Sequence, residues 1–145
     1  MEASYGPLTG IHDAAKVKLG TRLRHKGKEY IYLKGVASTV ANDVVIFDEA
    51  FATTRLVPDA VGQVAVALAA VVADKYGWYQ IYGNASVNSD TIAENVCLYI
   101  DTVSGKVDDA AVTGDLVLGM ISQGATSGGV TAVFLNYPQV TNILG

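Results

Sequence analysis

An all-β domain, a sandwich or barrel of short antiparallel strands behind an extended N-terminal arm, is what this chain of 145 residues predicts. Three observations point there. Apolar residues recur at period two from Leu19 onward. Turn signals built from Gly, Asn, Asp and Pro recur at roughly ten-residue spacing. No apolar stretch carries a polar face at helical spacing. Half of the residues are apolar and 17% are charged, enough apolar surface to offset the ordering entropy, which excludes a disordered chain. A domain of this size buries roughly 70% of its unfolded surface, so neither a metal nor a disulfide staple is required. Cys97 is the single cysteine, which excludes an internal disulfide framework.

The elements follow in chain order. Residues 1–18 read as an arm, because Tyr5-Gly6-Pro7-Leu8-Thr9-Gly10 is broken by Gly and Pro and has no period. Tyr5, Leu8 and Ile11 are its candidate anchors; docking on a neighbouring subunit and a frayed terminus are both open. Residues 19–145 form the β-rich domain. Thr21–His25 and Lys28–Leu33 around Lys26-Gly27 predict a hairpin whose second strand has something to bury on both faces. Val44–Phe47 is β-branched and aromatic, hence a strand; Ala52–Leu56 is a weaker one. Val61–Ala73 mixes Ala with Val and, lacking a polar face, reads as a buried strand.

In Tyr76–Gly83, period two places Tyr76, Trp78, Gln80 and Tyr82 on one face and Gly77, Tyr79, Ile81 and Gly83 on the other. Tyr76, Trp78 and Tyr82 are the large apolar content of a core or subunit interface, or a stacking platform for sugar rings. Gly77 and Gly83 allow a bulge or a close backbone approach. Val96–Ile100, Leu116–Ser122 and Val130–Leu135 complete the strands. Gly124–Gly129 reads as a flexible loop, and Asn136-Tyr137-Pro138 as the end of the last strand.

The formal charge is −4, which argues against a broad nucleic-acid footprint. It is unevenly placed. Residues 1–35 hold seven basic and three acidic side chains, a local +4; the remaining 110 hold three basic and eleven acidic, a local −8. One end of a copy is therefore suited to attract the other end of a neighbour, although Lys and Arg on a hairpin edge also discourage sheet aggregation. Residues 1–15 lack a basic n-region and an apolar core, and the ten-residue apolar run Val64–Ala73 is about half of a membrane span.

Catalytic chemistry is not visible. The two histidines, His12 and His25, lie in no recognised motif, and Gly124–Gly129 is no nucleophile elbow. Cys97, in Val-Cys-Leu-Tyr, is expected to act as a small core hydrophobe. No Cys or His pair has zinc-ligand spacing, and Asp101, Asp108, Asp109 and Asp115 read as turn aspartates lacking EF-hand spacing. The expectation is no enzyme, no cofactor and no metal.

An ordered set of segments carries a resemblance: Gly20-Thr21-Arg22-Leu23-Arg24 with Glu29-Tyr30-Ile31-Tyr32, then Gly62–Ala67, Tyr76–Gly83, Val96–Tyr99 and Val133–Pro138. Together they span about residues 19–138, and the set resembles the capsid decoration, or cement, proteins of tailed bacteriophages. The resemblance implies a β-rich, non-enzymatic virion component. It would be made in the bacterial cytoplasm and bound as a homotrimer to the major capsid protein on the outer shell, with no nucleic-acid or membrane partner. Arg22, Arg24, Lys26 and Lys28 are then the candidate contacts to an acidic capsid surface. The alternative is a virion-associated carbohydrate-binding module using an exposed aromatic strand.

Overall fold

The computed structural model describes residues 7–142 and contains no helix among them. Ten strands form in order: β1 Arg22–His25, β2 Lys28–Lys34, β3 Val44–Phe47, β4 Thr53–Arg55, β5 Gly62–Ala67, β6 Tyr76–Asn88, β7 Cys97–Ile100, β8 Val107–Asp108, β9 Leu116–Ser122 and β10 Val130–Val140. All pairings between strands are antiparallel, along the path β1-β2-β6-β5-β10-β9-β7-β8, with β3 joining β5 to β4. The all-β, sandwich-like expectation holds.

The hairpin forms as its turn chemistry dictates. Lys26 (φ 53°) and Gly27 (φ 78°) both adopt the left-handed region, as a type I′ turn requires, and Arg24 pairs with Glu29 across it. Strand β6 organises the rest. Its first half pairs with β2; at Tyr82 it takes β10 as its other neighbour, with β5 wedged in at Gln80 and Tyr79. The β2–β6 register shifts at Ile81, between the Glu29–Tyr82 and Tyr30–Gln80 pairs, and two residues on Gly83 (φ 97°) admits the hairpin closely: an added Cβ would lie 2.9 Å from the Lys28 stem and 3.0 Å from the Gly27 carbonyl. Gln80, buried at this junction, donates its amide to the carbonyls of Tyr82 and Asn84 at 3.0 and 2.8 Å. Those acceptors would otherwise stand idle where the ladder is interrupted.

Three apolar cores result. Strands β2-β6-β5-β3-β4 curl until Lys34 bridges Ala52, enclosing Ile31, Leu33, Val45, Ala65, Ala67, Tyr79 and Ile81. There burial pushes the Tyr79 phenol up to about 12, against a lowering from the Thr53 hydroxyl. The largest core lies between β3/β5 and the sheet β6-β10-β9-β7, around Val64, Val66, Leu98, Val117, Met120, Val133 and Leu135. The third, Tyr30, Tyr32 and Trp78, lies on the outer face of β2 and β6, beneath Leu8, Val17 and Leu19.

Three expectations are corrected. Strand β5 ends at Ala67, and 68–73 turn away through Ala69 and Val71 instead of extending the strand. Strand β10 does not end at Asn136-Tyr137-Pro138 but runs to Val140. Tyr137 (φ 47°) and buried Pro138 form a bulge between Leu135 and Gln139, where the ladder asks no N–H of proline. The 124–129 loop is anchored: Thr126 Oγ1 accepts from Ile92 N–H at 2.7 Å and bonds the Thr131 hydroxyl at 2.7 Å.

Candidate functional site: an uncovered sheet face and a basic hairpin

One face of β6 changes character along its length. Trp78 is 1% exposed, roofed by residues of the 7–19 segment; Tyr82, four residues on, is half-buried, and Asn84 and Ser86 are exposed. The described part of the arm thus lies on its own domain. His12 and Tyr76 exchange backbone hydrogen bonds at 2.8 and 2.9 Å, His12 Nδ1 bonds the Tyr32 hydroxyl at 2.7 Å, and that hydroxyl accepts from Lys16 N–H at 3.1 Å. Of the three proposed anchors, Leu8 packs on the Trp78 cluster, Ile11 is 45% exposed, and Tyr5 lies outside the described residues. The cover also removes Trp78 from any stacking platform: it is core, and only the half-buried Tyr76 and Tyr82 of that trio reach solvent.

Beyond Tyr82 no described segment covers the face. Cys97, Ile121 and Phe134 lie in register across β7, β9 and β10. Phe134 meets Tyr82 edge-on at 5.4 Å between ring centroids, and Tyr137 tilts over Tyr82 at 5.2 Å. Ile121 is 52% exposed and Tyr137 43%, so an apolar stripe crosses four strands in the open. Cys97 is exposed, which corrects its core assignment. Period two allows either Cys97 and Tyr99 or Leu98 and Ile100 to face inward. The inward places go to Leu98 and Ile100, whose side chains are the larger aliphatic fill.

The hairpin borders the stripe. Glu29 is 7% exposed and gathers three donors: Tyr137 Oη at 2.7 Å, Arg24 Nε at 3.1 Å and Arg22 Nη1 at 3.2 Å. Burial pushes its carboxyl up, but the bonds from Tyr137, Arg24 and Arg22 outweigh that and hold it below the ordinary glutamate value. Two of the four predicted contact cations therefore turn back on their own strand pair. Lys26 and Lys28 have no acidic partner within 4.0 Å among the described residues. With Arg24, His25 and Tyr82 they line a shallow concavity of about 290 Å³.

The Asp101 and Asp108 carboxylates build turns, whereas those of Asp109 and Asp115 tie down segments far along the chain. Asp108 and Asp109 accept from the N–H groups of Ala110 and Ala93, both at 3.0 Å, Asp115 from Asp59 at 2.9 Å, and Asp101 from Val103 at 3.2 Å. Among the described residues no group of three His, Cys, Asp or Glu is placed to hold a metal ion. Sequence reading missed one buried pair. Arg55 Nε donates to Asp43 at 2.9 Å, Asn88 donates to the other carboxylate oxygen at 3.2 Å, and Arg55 Nη2 reaches Ser104 O at 3.0 Å. It ties β4 to the 103–105 turn. No protein-family model and no curated protein matches this chain.

Proposed function

We propose that this chain is a non-enzymatic structural protein that grips identical copies of itself and a protein shell beneath them. More particularly, it is a decoration protein of a tailed bacteriophage. It is made in the bacterial cytoplasm and bound as a homotrimer to the major capsid protein on the outside of the virion. The observation that carries this reading is the apolar stripe Cys97–Ile121–Phe134–Tyr82, left open across four strands of a β-body whose three apolar clusters are buried. Such a face suits assembly, because apolar side chains that adjoin one another across neighbouring strands mark an interaction surface in a way that single exposed residues do not. The ordered segments that resemble decoration proteins supply the shell as the partner. Bracing requires only binding that prefers the assembled lattice, and many weak copies then add. The test is co-sedimentation with undecorated heads: saturable binding and a raised head-disruption temperature are expected. Chains that stay in the supernatant at every concentration would reject the reading.

A further inference from the structure

The stripe has two unlike ends. At the β7–β8 end, Asp90, Glu94 and Asp109 are exposed, and the Asp109 carboxylate caps Ala93 beside Glu94. None of the three is ion-paired within 4.0 Å to a described residue. Burial pushes the neighbouring Asp108 carboxyl up, and the charges of Asp101, Asp109 and Asp90 add to this, so negative charge is concentrated there. At the hairpin end, Lys26 and Lys28 edge the concavity beside Tyr82, and the Lys28 stem lies against Gly83. Each copy thus presents one acidic and one basic end, joined by an apolar strip. Charge steers such surfaces and fixes their orientation, while apolar burial supplies the affinity.

We propose that the occupant of this face is a second copy of the same chain, docked head to tail: the Lys26–Lys28–Tyr82 end of one copy covers the Cys97–Ile121 end of the next. This rests on the self-assembling part of the proposed function and deepens it. A contact of this kind is heterologous, so it closes into a ring when the rotation between copies allows, and three copies make the ring. It also gives Lys26 and Lys28 a partner whose acidity lies within this chain.

The single native cysteine makes the contact testable. Within one copy Lys28 and Cys97 are separated by β6, β10 and β9, roughly 19 Å at the usual strand spacing. A disulfide needs Cα atoms within about 7 Å, so residue 28 cannot reach Cys97 of its own chain. The full-length Lys28→Cys chain should therefore form an inter-chain 28–97 disulfide under mild oxidation, mapped by peptide mass, in a covalent product that stops at three chains. Like-with-like disulfides alone, no disulfide in a sample that light scattering shows to be multimeric, or a monomer throughout would overturn the proposal. Ile121→Glu guards against a folding artefact, since Ile121 is half-exposed. That variant should still unfold cooperatively, with the melting temperature of the parent at high dilution, and become monomeric; retention of the parent mass overturns the proposal. Head binding by the unmodified chain is read in parallel. Binding without the 28–97 disulfide defeats the head-to-tail contact alone, whereas the disulfide without head binding supports the contact and defeats the shell reading.

Discussion

The two halves of one sheet face behave differently. Around Trp78 the outer face of β2 and β6 is roofed by the chain's own 7–19 segment; around Ile121 and Phe134 the continuation of that face is bare. Both halves carry large apolar side chains, and the bare half adds the exposed Asn84 and Ser86 beside them. The covered half concentrates Tyr30, Tyr32 and Trp78, whose polar atoms ask for defined partners, and the arm helps supply them: His12 and the Lys16 N–H meet the Tyr32 hydroxyl. The bare half carries side chains with little to satisfy, and Tyr137 finds its acceptor in Glu29 at the rim. One half is finished within the chain; the other is left for something else to finish.

The largest effect should separate the halves outright. Trp78→Ala is expected to destabilise the chain by about 3–5 kcal/mol, whereas Ile121→Ala should stay within about 0.5 kcal/mol in a dilute monomer. Denaturant unfolding of both variants checks this; equal costs would erase the contrast. Next comes the roof itself. Leu8→Ala with Val17→Ala should cost about 2–3 kcal/mol and shift Trp78 emission to the red. Unchanged emission would mean that the arm is not what shields the indole.

The interior beneath the roof can be probed with alkali. The Tyr79 phenol titrates near 10 when unfolded and about 12 in the core around Ile31, Val45 and Ala65. The folded state then holds a proton that the unfolded state has lost, so stability falls as pH rises between those values, by at most about 1.4 kcal/mol per unit. Tyr79→Phe should remove that component from the alkaline limb of a stability–pH profile. The rim responds in the opposite direction. The Glu29 carboxyl is held low, so its contribution is complete above the ordinary glutamate range and is lost as pH falls through the folded value. Tyr137→Phe, which deletes one of its donors, should cost about 1 kcal/mol at neutral pH and progressively less in acid, read by thermal melts across pH.

What the sequence made legible was local. The Lys26-Gly27 hairpin, the two-faced alternation of Tyr76–Gly83 and the turns at Asp101 and Asp108 each depend on residues within a few positions of one another. What it hid was set by distant partners. Pro138 reads as a strand end until β9 places a bulge opposite it. Cys97 reads as core until Leu98 and Ile100 take the inward places. The arm reads equally as docked on a neighbour or frayed, because nothing near Leu8 or Val17 announces Tyr30 and Trp78 as the surface they cover. The Asp43–Arg55 pair is made where β3 meets β4, and Asn88 and the Ser104 carbonyl complete it from far along the chain. The stripe was half visible: Tyr82 stood out, but its ring contact with Phe134, and the register of Phe134 with Ile121 and Cys97, exist only once β10 is placed.

The most direct measurement is the alkylation rate of Cys97, which sits at the far end of the bare half. In dilute free chain the thiol should react at the rate of an exposed cysteine, and on undecorated heads saturated with the chain it should be protected at least tenfold. A thiol that still reacts at the exposed rate on the saturated heads would show that the face stays open on the shell and would contradict the account.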